Sequence, residues 1–120
     1  MVMALPMVVA GLMGAAGVVL AAIAAHSAPG AGLDSASQML LIHALAVLCT
    51  IALMVSGRLW RAAALLAMVG WITGGALFAG DIALKALAGH RLFPMAAPTG
   101  GMLLIASWLV ISVAAAVGRK

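Results

Sequence analysis

Asp, Lys and Arg cut this sequence into four long uncharged stretches, Met1 to Leu33, Ser35 to Gly57, Ala62 to Gly80 and Leu92 to Gly118. Each can hold a helix that crosses a hydrocarbon layer about 30 Å thick, a task that takes about 20 residues. Composition closes off a water-soluble globule. Of the 120 residues 68% are hydrophobic and 7% are charged, against about one quarter charged in soluble domains, so one core of this size cannot hide the apolar surface. The expected fold class is an all-α membrane protein, one domain over residues 1–120 with four transmembrane helices in an antiparallel bundle. The spans are placed near 5–25, 37–56, 63–88 and 97–117.

The connections carry turn chemistry. His26 to Asp34 holds Pro29, Gly30 and Gly32, and is followed by Ser35 and Ser37 as N-cap candidates. Gly89 to Pro94 and then Pro98-Thr99-Gly100-Gly101 read as the second interfacial loop, so His26, Pro98, Gly100 and Gly101 are assigned to the outer loops. Between them Ser56 to Arg61 is a tight cationic turn, with Trp60 suited to the headgroup level. Ala24 to Ala28 ends the first apolar run in small residues, as a signal-peptide cleavage site does. That run lacks a basic leader and exceeds the usual apolar length of such signals, so it is read as a retained span.

The formal net charge is +4, yet Arg58, Arg61, Lys85, Arg91, Arg119 and Lys120 are too scattered to form a basic face. No nucleic-acid partner is expected, and the lipid bilayer is. Four of these cations fall in the 56–62 turn and at the C-terminus, while the two other loops hold Arg91 alone. Both termini are therefore expected in the cytoplasm, with Lys85 counting against the assignment. Cys49 has no partner for an intrachain disulfide and is read as a buried small hydrophobe.

Helices in lipid associate through close backbone approach. Ala10, Gly14, Gly17, Ala21 and Ala24 form such a small-residue seam on the first span. On the third, Gly70 and Gly74 make a GxxxG step whose face continues through Leu77 or Phe78 to Asp81 and Lys85. Gly14, Gly17, Gly70 and Gly74 are thus expected at helix contacts.

Ionisable groups at depth are the candidate site. Asp81 lies about 12 Å along a helix from Gly89, and His43 about as far from Asp34, so His43, Asp81 and Lys85 are expected at one level as a polar intramembrane cluster. An isolated carboxylate there needs a partner, water or a proton. Lys85 is the local partner, four residues on and on the same face, which makes a self-neutralising pair the plain reading. His43 is read as a neutral imidazole bonded between helices, with a proton relay to Asp81 as the alternative. Met39 with His43, and Met95 with Met102, offer soft ligands; in so apolar a chain methionines mostly fill gaps, and no metal site or cofactor is expected. Motifs for phosphate binding, nucleophilic catalysis or a zinc cage are not present.

Several segments in order resemble a known family: a Gly/Ala-rich first span ending in Ala25-His26, then His43-Ala44-Leu45-Ala46-Val47-Leu48, Phe78-Ala79-Gly80, Ala86-Leu87-Ala88-Gly89, and Ala97-Pro98-Thr99-Gly100-Gly101 leading to Trp108. The pattern is similar to the small bacterial membrane proteins called domain of unknown function 423, whose eukaryotic relatives include transmembrane protein 256. The resemblance implies four spans and no agreed activity. The family commonly carries Gln or His where this chain has Leu40, and small polar or aromatic residues at the positions of Asp81 and Ala83. The Asp81 and Lys85 pair therefore reads as particular to this chain, and a family-wide role would rest on His26, His43 and the Pro98 to Gly101 turn.

The expected function is a non-enzymatic structural or accessory subunit that packs against a membrane-protein complex or against itself. The alternative is a small proton-linked permease or channel using His43, Asp81 and Lys85 near the outer face. That alternative needs a polar route through the inner half, where the sequence supplies only Cys49, Thr50, Thr73, Ser107 and Ser112.

Overall fold

The computed structural model describes residues 3–27 and 30–118. Four helices follow in order, α1 (Ala4–His26), α2 (Leu33–Val55), α3 (Arg61–Ala88) and α4 (Ala96–Val117), and the described residues include no strand. All four are long and apolar enough to cross a membrane. Ala28, in the small-residue run, and the terminal cations Arg119 and Lys120 lie outside the described residues.

Three spans begin and end close to their expected bounds. The exception is α2, which starts at Leu33 rather than near 37. Gly32 takes a left-handed conformation (φ 84°) and turns the chain directly into the helix. Asp34 then sits in the first turn, where its charge meets the positive end of the helix dipole. Ser35 and Ser37 are consequently inside α2 and do not cap it. The Ser37 hydroxyl instead donates to the Gly17 carbonyl of α1 at 2.7 Å.

At its other end α2 stops in a paired-carbonyl turn. Gly57 (φ 75°) lets its own N–H reach the Met54 carbonyl and the Arg58 N–H reach Leu53, the bond pattern that closes a helix around a left-handed residue. The Trp60 N–H donates to the Ala114 carbonyl at 3.1 Å, tying this cationic turn to the far end of α4.

Helices α2 and α3 form the centre. α1 lies mainly on α2, α4 runs along α3, and the backbones of α1 and α4 do not come within 8 Å of each other. The bundle is 46 Å long and 25 by 21 Å across. α1 buries Ala10, Met13, Gly17, Leu20 and Ala24, steps of three and four that draw one narrow seam along a helix. The expected seam is therefore corrected at one of its glycines. A Cβ on Gly14 would meet nothing within 4 Å, whereas one on Gly17 would lie 2.7 Å from the Leu41 side chain and 3.2 Å from the Ser37 carbonyl oxygen. At roughly 100° per residue, a glycine one position beyond Met13 rotates off the contact.

Gly70 and Gly74 do face a neighbour. A Cβ on Gly70 would press into Ser107 of α4, and one on Gly74 would sit 2.9 Å from the Gly100 carbonyl oxygen. Gly100 is tighter still, since its Cβ would fall 2.5 Å from the Phe78 nitrogen and 2.6 Å from the Gly74 carbonyl oxygen. These neighbours are backbone and have no rotamer to yield. The segment Pro98 to Gly101 thus belongs to the first turns of α4 and not to a loop, and Gly100 is a packing residue. His26 is the exposed last residue of α1.

A methyl group at Gly100 forces α3 and α4 apart. Gly100→Ala is expected to destabilise the bundle by about 1 to 3 kcal/mol, the usual cost of overpacking. Gly14→Ala, which adds helix propensity in open space, is expected to be neutral or slightly stabilising. Thermal unfolding of the two variants in detergent, followed by circular dichroism, checks the contrast.

Candidate functional site

The buried carboxylate is held by a residue ten positions on. Asp81 in α3 is 0% exposed. Its Oδ2 accepts from Arg91 Nη1 at 2.7 Å and its Oδ1 accepts from the Leu92 backbone N–H at 2.9 Å. The backbone N–H of Ala97, in the first turn of α4, also faces the carboxylate. One side chain therefore joins α3, the connecting loop and the positive end of the α4 dipole.

This corrects the expected pairing with Lys85. That residue is exposed near the end of α3, and among the described residues the salt bridge of Asp81 is with Arg91. The reason lies in the chain reversal. α3 ends at Gly89 in a left-handed cap (φ 84°), so the loop doubles back and Arg91 reaches down over the last turns of the helix. A planar guanidinium meets the carboxylate together with a backbone amide, while Lys85, at the helix rim, is free to extend to the interface. Met95 holds the other end of this loop at φ 70°, the one non-glycine residue with positive φ among the described residues.

His43 belongs to a separate place. Its ring packs against Trp71 (centroids 6.4 Å apart) and edge-on to Trp108 (5.9 Å), and the two indoles lie 4.8 Å from each other. The Trp108 Nε1–H donates to His43 Nε2 at 3.0 Å, and His43 Nδ1 lies 2.6 Å from the Met39 carbonyl oxygen. An indole nitrogen can only donate, so Nε2 is the acceptor and Nδ1 carries the proton toward Met39. Met39 thus contributes its backbone oxygen to His43. Trp71 is 1% exposed and its Nε1 has no hydrogen-bond partner.

The expected level cluster therefore splits in two. Trp71, which neighbours His43, lies ten residues from Asp81, about 15 Å along α3. The helix register explains the separation. Gly32, at the start of α2, lies against Ile82, to which a Cβ at Gly32 would approach within 3.4 Å. The start of α2, and not its eleventh residue, His43, is thus beside Asp81. His43 sits at the middle of the bundle, and Asp81 and Arg91 sit at its rim.

Three further intramembrane hydroxyls turn back on their own helices. Thr73 Oγ1 donates to the Val69 carbonyl, Ser107 to Leu103 and Ser112 to Trp108, bonds that satisfy the hydroxyl without help from a neighbour. Cys49 is exposed, which corrects its expected burial: residues 46, 47, 50 and 51 carry the inward face of α2, and 49 falls between them on the outside.

Sequence spacing pointed to Asp81 and His43 but missed Arg91 and Trp108 as their partners. The usable signal for Arg91 was Gly89, a helix-ending glycine that returns the chain. For Trp108, 65 positions from His43, no local signal exists. Removing either member of the ion pair leaves a charge without its counter-ion. Arg91→Ala and Asp81→Ala are each expected to lower the unfolding temperature by several degrees, and Lys85→Ala to leave it nearly unchanged. In a double-mutant cycle Asp81 and Arg91 should be strongly coupled, and Asp81 and Lys85 should be additive.

A family model described as "Protein of unknown function (DUF423)" matches residues 13–101. That stretch contains the α1 seam from Met13 onward, His43 with its Met39 and Trp71 neighbours, the Asp81 and Arg91 pair, and the Gly74 and Gly100 contact. No curated protein and no solved structure matches the chain significantly. The family match covers most of the sequence and all four helices in whole or in part, and the chain belongs to the DUF423 family.

Proposed function

We propose that this protein is a non-enzymatic structural or accessory subunit of a bacterial inner membrane, with both termini in the cytoplasm, that binds membrane-protein partners or a second copy of itself. The supporting observation is how the two flanking helices are used. The backbones of α1 and α4 do not come within 8 Å of each other, and each helix keeps an exposed apolar face along its length. On α1 this face carries Leu5, Val8, Leu12 and Val19, and on α4 it carries Met102, Ile105, Leu109 and Val113. Both sets follow the steps of three, four and seven that present one side of a helix to another. The interior, in contrast, spends its polar groups on itself: Ser37 on Gly17, His43 on Trp108 and Met39, and Asp81 on Arg91 and Leu92.

This arrangement supports the accessory role over the carrier reading. A carrier needs His43 and Asp81 around one vestibule, and they lie about 15 Å apart along the helix axis. A tagged protein extracted from its own membrane in mild detergent is expected to run as a complex heavier than the 11.9 kDa chain in native mass measurement. A strictly monomeric, partner-free species contradicts the proposal. Proteoliposomes are expected to show no proton flux that depends on His43 or Asp81, read from His43→Ala and Asp81→Asn.

A further inference from the structure

Two hollows meet at Arg91. One, of about 490 Å³, opens between the start of α2 and the end of α3, and is lined by Gly32, Ser35, Lys85 and Arg91. The other, of about 1030 Å³, opens between α3, the loop and α4, over Leu92, Phe93, Met95, Pro98 and Gly101. Phe78, Ile82 and Arg91 line both. They form a continuous depression, cationic and hydroxylated at one end and apolar at the other.

Arg91 is the hinge of this shape. Only its Nη1 is engaged with Asp81, and its side chain remains 46% exposed. A guanidinium has five N–H donors in a fixed fork, so donors remain for a second oxyanion. Lys85 and the Ser35 hydroxyl flank the same hollow. Asp81 is fully buried beneath, and Asp34, the other acid of this end, does not line either hollow. The surface offered to an incoming group is therefore positive.

We propose that this depression binds one anionic phospholipid, its phosphate between Arg91, Lys85 and Ser35 and an acyl chain along Phe78, Leu92, Pro98 and Gly101. The commitment to a lipid follows from the juxtaposition: an oxyanion site at the end of membrane-spanning helices opens directly onto an apolar slot. A free phosphate has no use for the slot, and a simple hydrocarbon has no use for the cations. A zwitterionic lipid carries the same phosphate, but its quaternary ammonium meets Arg91 and Lys85 with the wrong sign.

The test is native mass spectrometry of the full chain in detergent, titrated with dioleoyl phosphatidylglycerol and with dioleoyl phosphatidylcholine. One phosphatidylglycerol is expected to be retained about fivefold more strongly than phosphatidylcholine, the effect of roughly one cation at the headgroup level. Lys85→Gln should abolish most of that preference, and Ser35→Ala should reduce it; neither touches the Asp81 pair, and helicity and monodispersity confirm their folding. Gly101→Leu should weaken retention of both lipids. A Cβ there meets Phe78 Cδ2 at an ordinary 3.8 Å, so the longer side chain fills the slot without moving the helix. Equal retention of the two lipids by the unaltered protein, or unchanged preference in Lys85→Gln and Ser35→Ala, overturns the proposal. Inorganic phosphate binding to lipid-free protein that persists in Gly101→Leu also overturns it, in favour of a free anion.

Discussion

A carboxylate placed where water cannot reach must find its hydrogen bonds within the protein, and the end of the bundle at the α3–α4 connection is organised around that demand. Asp81 obtains a guanidinium from Arg91 and a backbone amide from Leu92, and to do so it needs the chain to leave α3 and return at once. Gly89 supplies the reversal. The returned loop then delivers the first turn of α4 against the same carboxylate. The angle at which α4 starts, and hence its line along α3, is tied to one side chain.

From there α4 is held by proximity. Gly100 brings its backbone against Gly74 and Phe78, and Ser107 fills the space that a side chain on Gly70 would take. Lipid tails supply no hydrophobic drive between helices, so such contacts work through dispersion at short range. At the middle of the bundle His43 accepts the Trp108 indole N–H, a bond between α2 and α4 that their backbones do not otherwise make. On the opposite side the Ser37 hydroxyl does the same for α1 and α2. α1 with α2, α3 with α4 and α2 with α4 are thus each fastened by a close glycine contact, a single polar bond, or both.

Much of this was legible in the sequence, and its limits have physical causes. The spans could be read because charge is excluded from hydrocarbon, so the charged residues mark where helices end. Gly17, Gly70 and Gly74 could be read as contact residues because small side chains at helical spacing have few other uses in lipid. Gly14 could not be told from Gly17, since that decision turns on a rotation of a fraction of a turn. The start of α2 was set four residues late because a left-handed glycine did the work expected of a serine cap. The site was misread where its partners are not local. Lys85 is four residues from Asp81 and looks like its partner in a straight helix; Arg91 becomes the partner only once the loop folds back. The level of His43 was misjudged because depth was counted from each helix end, whereas the packing of Gly32 on Ile82 sets the true register.

The central claim is that Asp81 is neutralised across the end of α3 and not along it. Solid-state nuclear magnetic resonance in lipid bilayers measures this directly, as dipolar coupling between the side-chain carboxyl carbon of Asp81 and the side-chain nitrogens of Arg91 or Lys85. The account predicts strong coupling to Arg91, in keeping with the 2.7 Å nitrogen to oxygen distance, and none to Lys85. Coupling to Lys85 with none to Arg91 would contradict it.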